Sequence, residues 1–361
     1  MLSECLTWDD VQIVPRYSEI LSRSDCSTAS RFTRNYMIEV PIIASPMDSV
    51  CELDMALVLW RLGAVGILHR FTTIENQSQW AKLLWDAIQI ESIVPGSFPP
   101  VIKKSGRFQK PVIAAAIGAT GDYLERATEL LKNKVNVLCI DVAHGHHIHV
   151  KNAILKLLPL KFKYEFDIIA GNVATSEGAA DLENWGADCV RVGLGGGSVC
   201  ETRIRTGVGV PQLSAVLQAR ENVHVPVISD GGIRFIGDIS KAICAGADTV
   251  MIGSLFSGTD EAPGNVVVSG MWPNVQMHKL YRGSSSESMK ISNGSERSHV
   301  EGTSKMVPLK GPVSTIVKDI TDGLKSTMSY LGVDNILEMQ SAASFIKITP
   351  AGMIEALPHL L

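Results

Sequence analysis

The sequence predicts a (β/α)8 barrel. Three observations carry this: eight short, continuously apolar and β-branched runs recur along the 361 residues, helix-length amphipathic stretches separate them, and polar residues cluster just beyond the ends of the runs. Continuous apolarity suits parallel strands buried on both faces. Eight such units within about 220 residues fit a closed barrel better than a doubly wound sheet, the structural alternative.

The elements follow in order. Runs at 40–46 and 64–70 open the series. The third, 111–116, leads to a helix over 123–132, and the fourth, 135–144, to one over 149–158. The fifth, 167–174, leads to 177–185. The sixth, 188–194, runs into a glycine-rich loop and then a helix over 212–220. The seventh, 226–232, precedes a helix over 237–245, and the eighth is 249–255. A segment of about 265–307 breaks the pattern; Arg282-Gly-Ser-Ser-Ser286 and Ser292-Asn-Gly-Ser295 read as a mobile flap rather than a packed element. A helix over 312–331 and a short strand over 345–349 complete the chain, so 1–361 is read as one barrel domain with no domain-sized insertion.

Composition narrows the function classes. With 45% hydrophobic and 19% charged residues, a large core is expected and disorder is not. A net charge of −4 without a basic stripe gives no nucleic-acid groove. A phosphorylated ligand would be held by local groups rather than by a global field. No apolar run approaches the ~20 residues of a membrane span. Met1-Leu-Ser-Glu4 lacks the charged-then-apolar signal pattern. Seven scattered cysteines, never spaced C-x-x-C, argue against disulfides and zinc, so a reducing, cytoplasmic setting is expected.

The polar clusters are Asp48, His69, Arg70, 141–147, Asn172, 195–202, Asp230-Gly231-Gly232 and Gly253-Ser254. In a barrel all lie on the C-terminal rim, where active sites are built. Cys139, Cys189 and Cys244 sit in strand or helix patterns and read as small buried hydrophobes. Cys200, directly after Gly195-Gly-Gly-Ser-Val, sits in a polar loop before a helix start, where a thiol can serve as a nucleophile. The glycines at 231, 232 and 253 fit either phosphate-binding loops or plain capped turns. Asp230 would repel phosphate and suits ribose hydroxyls. The histidines at 144, 146, 147 and 149 lack a matching partner pattern for a metal. Asp141 caps the fourth strand beside the rim. Glu301 is either a solvated charge or a proton-transfer group over the site.

These residues resemble the IMP dehydrogenase/GMP reductase family. The resemblance rests on Leu6-Thr-Trp-Asp-Asp-Val11, Ala44-Ser-Pro-Met-Asp-Ser-Val50, Asp141-Val-Ala-His-Gly145, Ala170-Gly-Asn-Val173, Gly195-Gly-Gly-Ser-Val-Cys200, Gly207-Val-Gly-Val-Pro-Gln212 and Ser229-Asp-Gly-Gly-Ile233. Met251-Ile-Gly-Ser254, Glu261-Ala-Pro-Gly264, Tyr281-Arg-Gly283 and Lys310-Gly311 fit as well. The paired CBS domains common in the dehydrogenases have no counterpart in these residues.

The resemblance implies roles. Cys200 would attack purine C2, Thr202 would handle water or ammonia, and Glu301 would contact the purine and move protons. Ser198, Gly231, Gly232, Gly253, Ser254, Tyr281, Gly283, Ser284, Ser285 and Gly302 would bind the purine nucleoside monophosphate, GMP or IMP, and Asp230 its ribose. Arg70, Asp141, Val142, Ala143 and Asn172 would hold the nicotinamide of NADP(H) or NAD(H), with Ser22 and Arg23 reaching in from a neighbouring subunit of a homotetramer. Carbonyls of Gly195, Gly197 and Cys200 would bind potassium. Gly196 replaces the usual proline of that loop.

Two activities share this core. Ser45-Pro-Met-Asp48, Glu261-Ala-Pro-Gly264 and Ile348-Thr-Pro-Ala-Gly352 with Pro358-His359 lean towards IMP dehydrogenase. The flap leans towards GMP reductase: it is short, and Ser298 follows Arg297 where dehydrogenases pair arginine with a water-activating tyrosine. GMP reductase is the favoured expectation. A nucleotide-binding barrel that regulates without catalysis is the competing class, and the Cys200, Thr202 and Glu301 set argues against it. The cysteine loop also disfavours a flavin-dependent barrel.

Overall fold

The computed structural model describes residues 3–93, 111–271, 273–286 and 300–358. Eight parallel strands close into a barrel in the order β4 (Ile42–Ala44), β5 (Val65–Leu68), β6 (Ala114–Ile117), β7 (Val137–Asp141), β8 (Asp167–Val173), β9 (Cys189–Val192), β10 (Val227–Asp230) and β11 (Thr249–Ile252), with β11 pairing back onto β4. Each strand lies in one of the eight apolar runs, β6 extending one residue beyond its run. Most are shorter than their runs, because the rim residues leave the ladder to form loops.

Helices surround the barrel: α1 (Leu53–Arg61), α2 (Ile74–Ile93), α3 (Tyr123–Lys132), α4 (Ile148–Leu157), α5 (Ser176–Trp185), the single-turn α6 (Thr202–Thr206), α7 (Gln212–Glu221) and α8 (Ile236–Cys244). After them come α9 (Val313–Leu331), α10 (Ile336–Ala342) and α11 (Pro350–Glu355). Sequence periodicity explains the packing. In α3, Ala127, Leu130 and Leu131 face the barrel and are buried. Thr175 caps α5 by accepting the Gly178 N–H at 3.1 Å, and Gly186 closes that helix in the left-handed conformation.

Side-chain alternation divides the core in two. One set of strand residues packs against the helices; the other, including Ile43, Ile67, Val137, Cys139, Ile169, Cys189 and Ile228, fills the barrel. The bottom is plugged by a short hairpin of β2 (Ser30–Arg31) and β3 (Met37–Ile38), which inserts Phe32, Tyr36 and Ile38. Carboxylates at strand starts clamp it. Asp167 accepts from Thr33 Oγ1 at 2.6 Å, Asn35 N–H at 2.9 Å and Asn35 Nδ2 at 2.7 Å. Asp188 pairs with Arg34 at 3.3 Å, and Asp248 with Arg31 at 3.1 Å. The N-terminal end is thereby closed, and the cavity lies at the other end.

The 265–307 segment corrects one expectation. Its described part is not merely a loop: β12 (Val267–Ser269), β13 (Gln276–Arg282) and β14 (Ser304–Pro308) form an antiparallel sheet in which Lys279 and Tyr281 are buried. The period-two pattern is hidden in the sequence because an inward position holds a lysine. Ser292-Asn-Gly-Ser295, Arg297 and Ser298 lie outside the described residues. A last antiparallel pair, β1 (Val11–Ile13) with β15 (Phe345–Lys347), joins the two ends of the chain.

Candidate active site

A cavity of about 480 Å³ opens at the C-terminal rim. It is lined by Cys200, Thr202 and Glu301, and by Ser198, Asp230, Gly231, Gly232, Gly253, Ser254, Tyr281, Gly283, Ser284, Ser285 and Gly302. Arg70, Asp141, Val142, Ala143 and Asn172 line it too, as do Gly195 and Gly197. Ser22 and Arg23 lie outside this lining; Ser22 caps a short 3-10 turn and the Arg23 guanidinium sits 6.0 Å from the centre of the Tyr330 ring.

Cys200 is exposed, at the end of the loop after β9. Its N–H donates to the Gly197 carbonyl at 3.0 Å, which folds the loop into a tight turn. The chain returning through Glu301 pairs antiparallel with this loop: Glu201 N–H donates to Glu301 O at 2.7 Å and Thr303 N–H to Val199 O at 2.9 Å. That pairing carries Glu301 to Thr202. The Thr202 hydroxyl donates to Glu301 Oε2 at 2.8 Å and lies 3.2 Å from Cys200 Sγ. Thiol, hydroxyl and carboxylate thus form one connected chain.

A second polar group fills the barrel mouth. Asp141, Arg191 and Asp230 continue the inward-facing positions of β7, β9 and β10 above Cys139, Cys189 and Ile228. Arg191 donates to Asp141 Oδ1 at 2.6 Å and Asp230 Oδ2 at 3.0 Å. It must cross β8 to reach Asp141, and Gly171 permits this: a Cβ there would stand 2.6 Å from Arg191 Cβ. Burial opposes the charge of Arg191, but Asp230 and Asp141 outweigh it and raise its pKa above the ordinary value. Asn172 Nδ2 adds a donor to Asp230 at 2.7 Å.

The opposite wall is glycine-rich. Gly231 and Gly232 have φ of +99° and +76°, conformations that leave this turn to glycine. The Tyr281 hydroxyl lies 3.4 Å from Ser198 Oγ, and burial pushes its pKa up to about 12. Arg282 pairs with Asp48 through Nε at 2.8 Å, tying the 276–282 strand to the loop after β4.

Trp8, Arg191 and Gln212 are among the lining residues that sequence reasoning does not single out as site candidates. Arg191 sits within the run Cys-Val-Arg-Val, where a single charge in an apolar strand is its only signal. Trp8 Nε1, Gln212 Oε1, Arg70 Nε and Asn172 Oδ1 are buried polar atoms without a hydrogen-bond partner in the structure. The histidines at 144, 146, 147 and 149 do not assemble a metal site; His146 pairs with Asp181 at 2.9 Å, and among the described residues no cluster suited to a metal occurs.

The chain is similar to known proteins along nearly its whole length. The model of the IMP dehydrogenase / GMP reductase domain matches residues 5–359. The inosine-5'-monophosphate dehydrogenase of Borreliella burgdorferi is 36% identical, covering 99% of this chain and 97% of that protein. The GMP reductase of Leishmania major is 32% identical, covering 99% and 97%. A GMP reductase variant from Trypanosoma brucei, solved in complex with guanosine 5'-monophosphate, superposes with a TM-score of 0.88 at 31% identity, covering 100% of this chain and 98% of that one.

Proposed function

The chain belongs to the IMP dehydrogenase/GMP reductase family of oxidoreductases, and within it we propose a GMP reductase, which converts GMP to IMP and ammonia at the expense of NADPH. The observation that carries this reading is the hydrogen-bonded chain from Cys200 through Thr202 to Glu301. Such a chain is suited to protonating a departing amine beside the nucleophile.

The Cys200 thiolate adds to C2 of the purine, making a tetrahedral adduct. The amino group takes a proton through Thr202 and Glu301 and leaves as ammonia, and its bonding pair goes with it. After hydride arrives at C2, the carbon–sulfur bond breaks, IMP departs and the thiolate is restored. Ser198, Gly232, Gly253, Ser254 and Tyr281 hold the phosphate; Asp230, oriented by Arg191 and Asn172, grips the ribose.

The nicotinamide cofactor supplies that hydride when bound. Arg70, Asp141, Val142, Ala143 and Asn172 would hold it, and Asn172 Oδ1, which has no hydrogen-bond partner, fits a polar carboxamide on that side, next to Arg70, whose Nε is 3.9 Å from Asp141. The same reading assigns potassium to the carbonyls of Gly195, Gly197 and Cys200, and a cytoplasmic homotetramer in which Ser22 and Arg23 serve a neighbour's cofactor side. Both assignments are supported by resemblance. No helix among the described residues is long and apolar enough to cross a membrane.

A second reading, IMP dehydrogenase, is favoured by the 36% identity to enzymes of that name and by Ser45-Pro-Met-Asp48. One assay separates them. Nicotinamide absorbance is followed in potassium buffer with GMP plus NADPH, and separately with IMP plus NAD. Loss of NADPH with ammonia release supports the reductase; formation of NADH with xanthosine monophosphate overturns it in favour of the dehydrogenase.

A further inference from the structure

Lys279 is buried on the 276–282 strand, 6% exposed, and its ammonium donates to three main-chain carbonyls: Thr259 at 3.0 Å, Asp260 at 3.1 Å and Ala262 at 2.6 Å. Three donors meet three acceptors, the full capacity of the group. Taking an ammonium out of water is costly unless its donors are met in this way. A lysine so enclosed behaves as a monovalent cation fixed in a carbonyl cage.

The cage belongs to the loop that runs from the cavity edge. Gly253 and Ser254 line the cavity, and the chain then coils tightly: Ser257 N–H bonds Gly253 O at 3.0 Å, Thr259 N–H bonds Phe256 O at 3.3 Å and Ala262 N–H bonds Thr259 O at 3.2 Å. On the strand side, Tyr281 follows Lys279 by two residues and so shares its face. Its hydroxyl sits over Gly253, where a Cβ would stand 2.9 Å from the phenolic oxygen. One ammonium therefore joins the far end of the 253–262 loop to the strand that delivers Tyr281.

We propose that Lys279 is a positioning residue for the nucleotide phosphate: it sets the gap between the Tyr281 hydroxyl and the Gly253-Ser254 edge, so that both face the same phosphate. This deepens the reading above and rests on it. The cage is specific for a compact ammonium, because a planar guanidinium cannot aim three donors at carbonyls converging from one side.

The test is a double-mutant cycle on the whole protein. GMP affinity is measured by calorimetry, and GMP kinetics by absorbance, for wild type, Lys279→Met, Tyr281→Phe and the pair. Lys279→Arg, which keeps the charge, decides the matter if Lys279→Met does not fold. Either Lys279 variant is expected to raise KM for GMP about tenfold with kcat within about threefold, and adding Tyr281→Phe is expected to cost nothing more. A KM within about twofold of wild type, or effects that multiply independently, overturns the proposal. A wild type that binds neither GMP nor IMP overturns the nucleotide reading itself, whereas a wild type that binds GMP with a non-interacting cycle removes only the role of Lys279.

Discussion

The Thr202 hydroxyl stands between Cys200 Sγ, 3.2 Å away, and the Glu301 carboxylate, 2.8 Å away. The three groups thus offer a path for a proton between half-buried Glu301 and the Cys200 side of the cavity. Glu301→Gln removes the carboxylate but keeps an acceptor for the hydroxyl. Turnover of GMP is expected to fall by about 100-fold, with KM changed little. Full reductase turnover in this variant would remove Glu301 from proton transfer.

Exposure separates Cys200 from the other thiols. Cys5 is half-buried and Cys26, Cys51, Cys139, Cys189 and Cys244 are buried, and burial pushes Cys139 and Cys244 up to about 12. Iodoacetamide at neutral pH is expected to label Cys200 first, and GMP to protect it, as read by peptide mass spectrometry. Cys200→Ala is expected to abolish turnover and leave nucleotide binding intact. Residual turnover within a few-fold of wild type would sink the covalent mechanism.

Eight barrel strands are legible in the sequence because burial on both faces makes each one continuously apolar, as in Ile168, Ile169 and Ala170 of β8. The rim is legible because polar residues follow those runs. Arg191 is not, because its partners Asp141 and Asp230 lie 50 and 39 residues away, and nothing local announces a buried ion pair. Lys279 misleads in the same way: a lysine reads as solvent-facing, and only the fold supplies three carbonyls to receive it. Ser22 and Arg23 lie outside the lining of this chain's own cavity, and no local pattern marks them.

Arg191 holds two carboxylates that would otherwise face one another in the barrel mouth. Arg191→Met takes this countercharge from two half-buried carboxylates, at a cost in stability below the ~3–5 kcal/mol of a fully buried pair. Arg191→Lys keeps the charge but loses the planar fork that reaches Asp141 and Asp230 together, so it too should weaken nucleotide binding. Chemical denaturation and GMP calorimetry check both outcomes. A Lys variant with wild-type affinity would show that the ribose contact does not depend on this geometry.

The bottom plug should matter for stability alone. Asp167 is 1% exposed and accepts three hydrogen bonds from Thr33 and Asn35. Asp167→Ala strands the buried Thr33 hydroxyl and releases the exposed Asn35, and is expected to cost about 1–3 kcal/mol. The cavity lies at the opposite rim, so KM and kcat of the surviving folded protein should match wild type at low temperature. A changed KM would mean that the plug is coupled to the site.

Burial raises the phenol of Tyr281 to about 12, above its ordinary value of 10.0. The fold therefore binds this proton more tightly than the unfolded chain does. The stability so gained is complete below about pH 10 and is lost as pH rises towards 12, with a ceiling of roughly 2–3 kcal/mol. Denaturation midpoints between pH 9 and 12 should thus fall less steeply for Tyr281→Phe than for wild type. Tyr36 in the plug is raised in the same direction, by its own burial and by Asp167, so Tyr36→Phe should flatten what remains. Parallel profiles for wild type and Tyr281→Phe would mean that the hydroxyl reaches solvent and titrates freely.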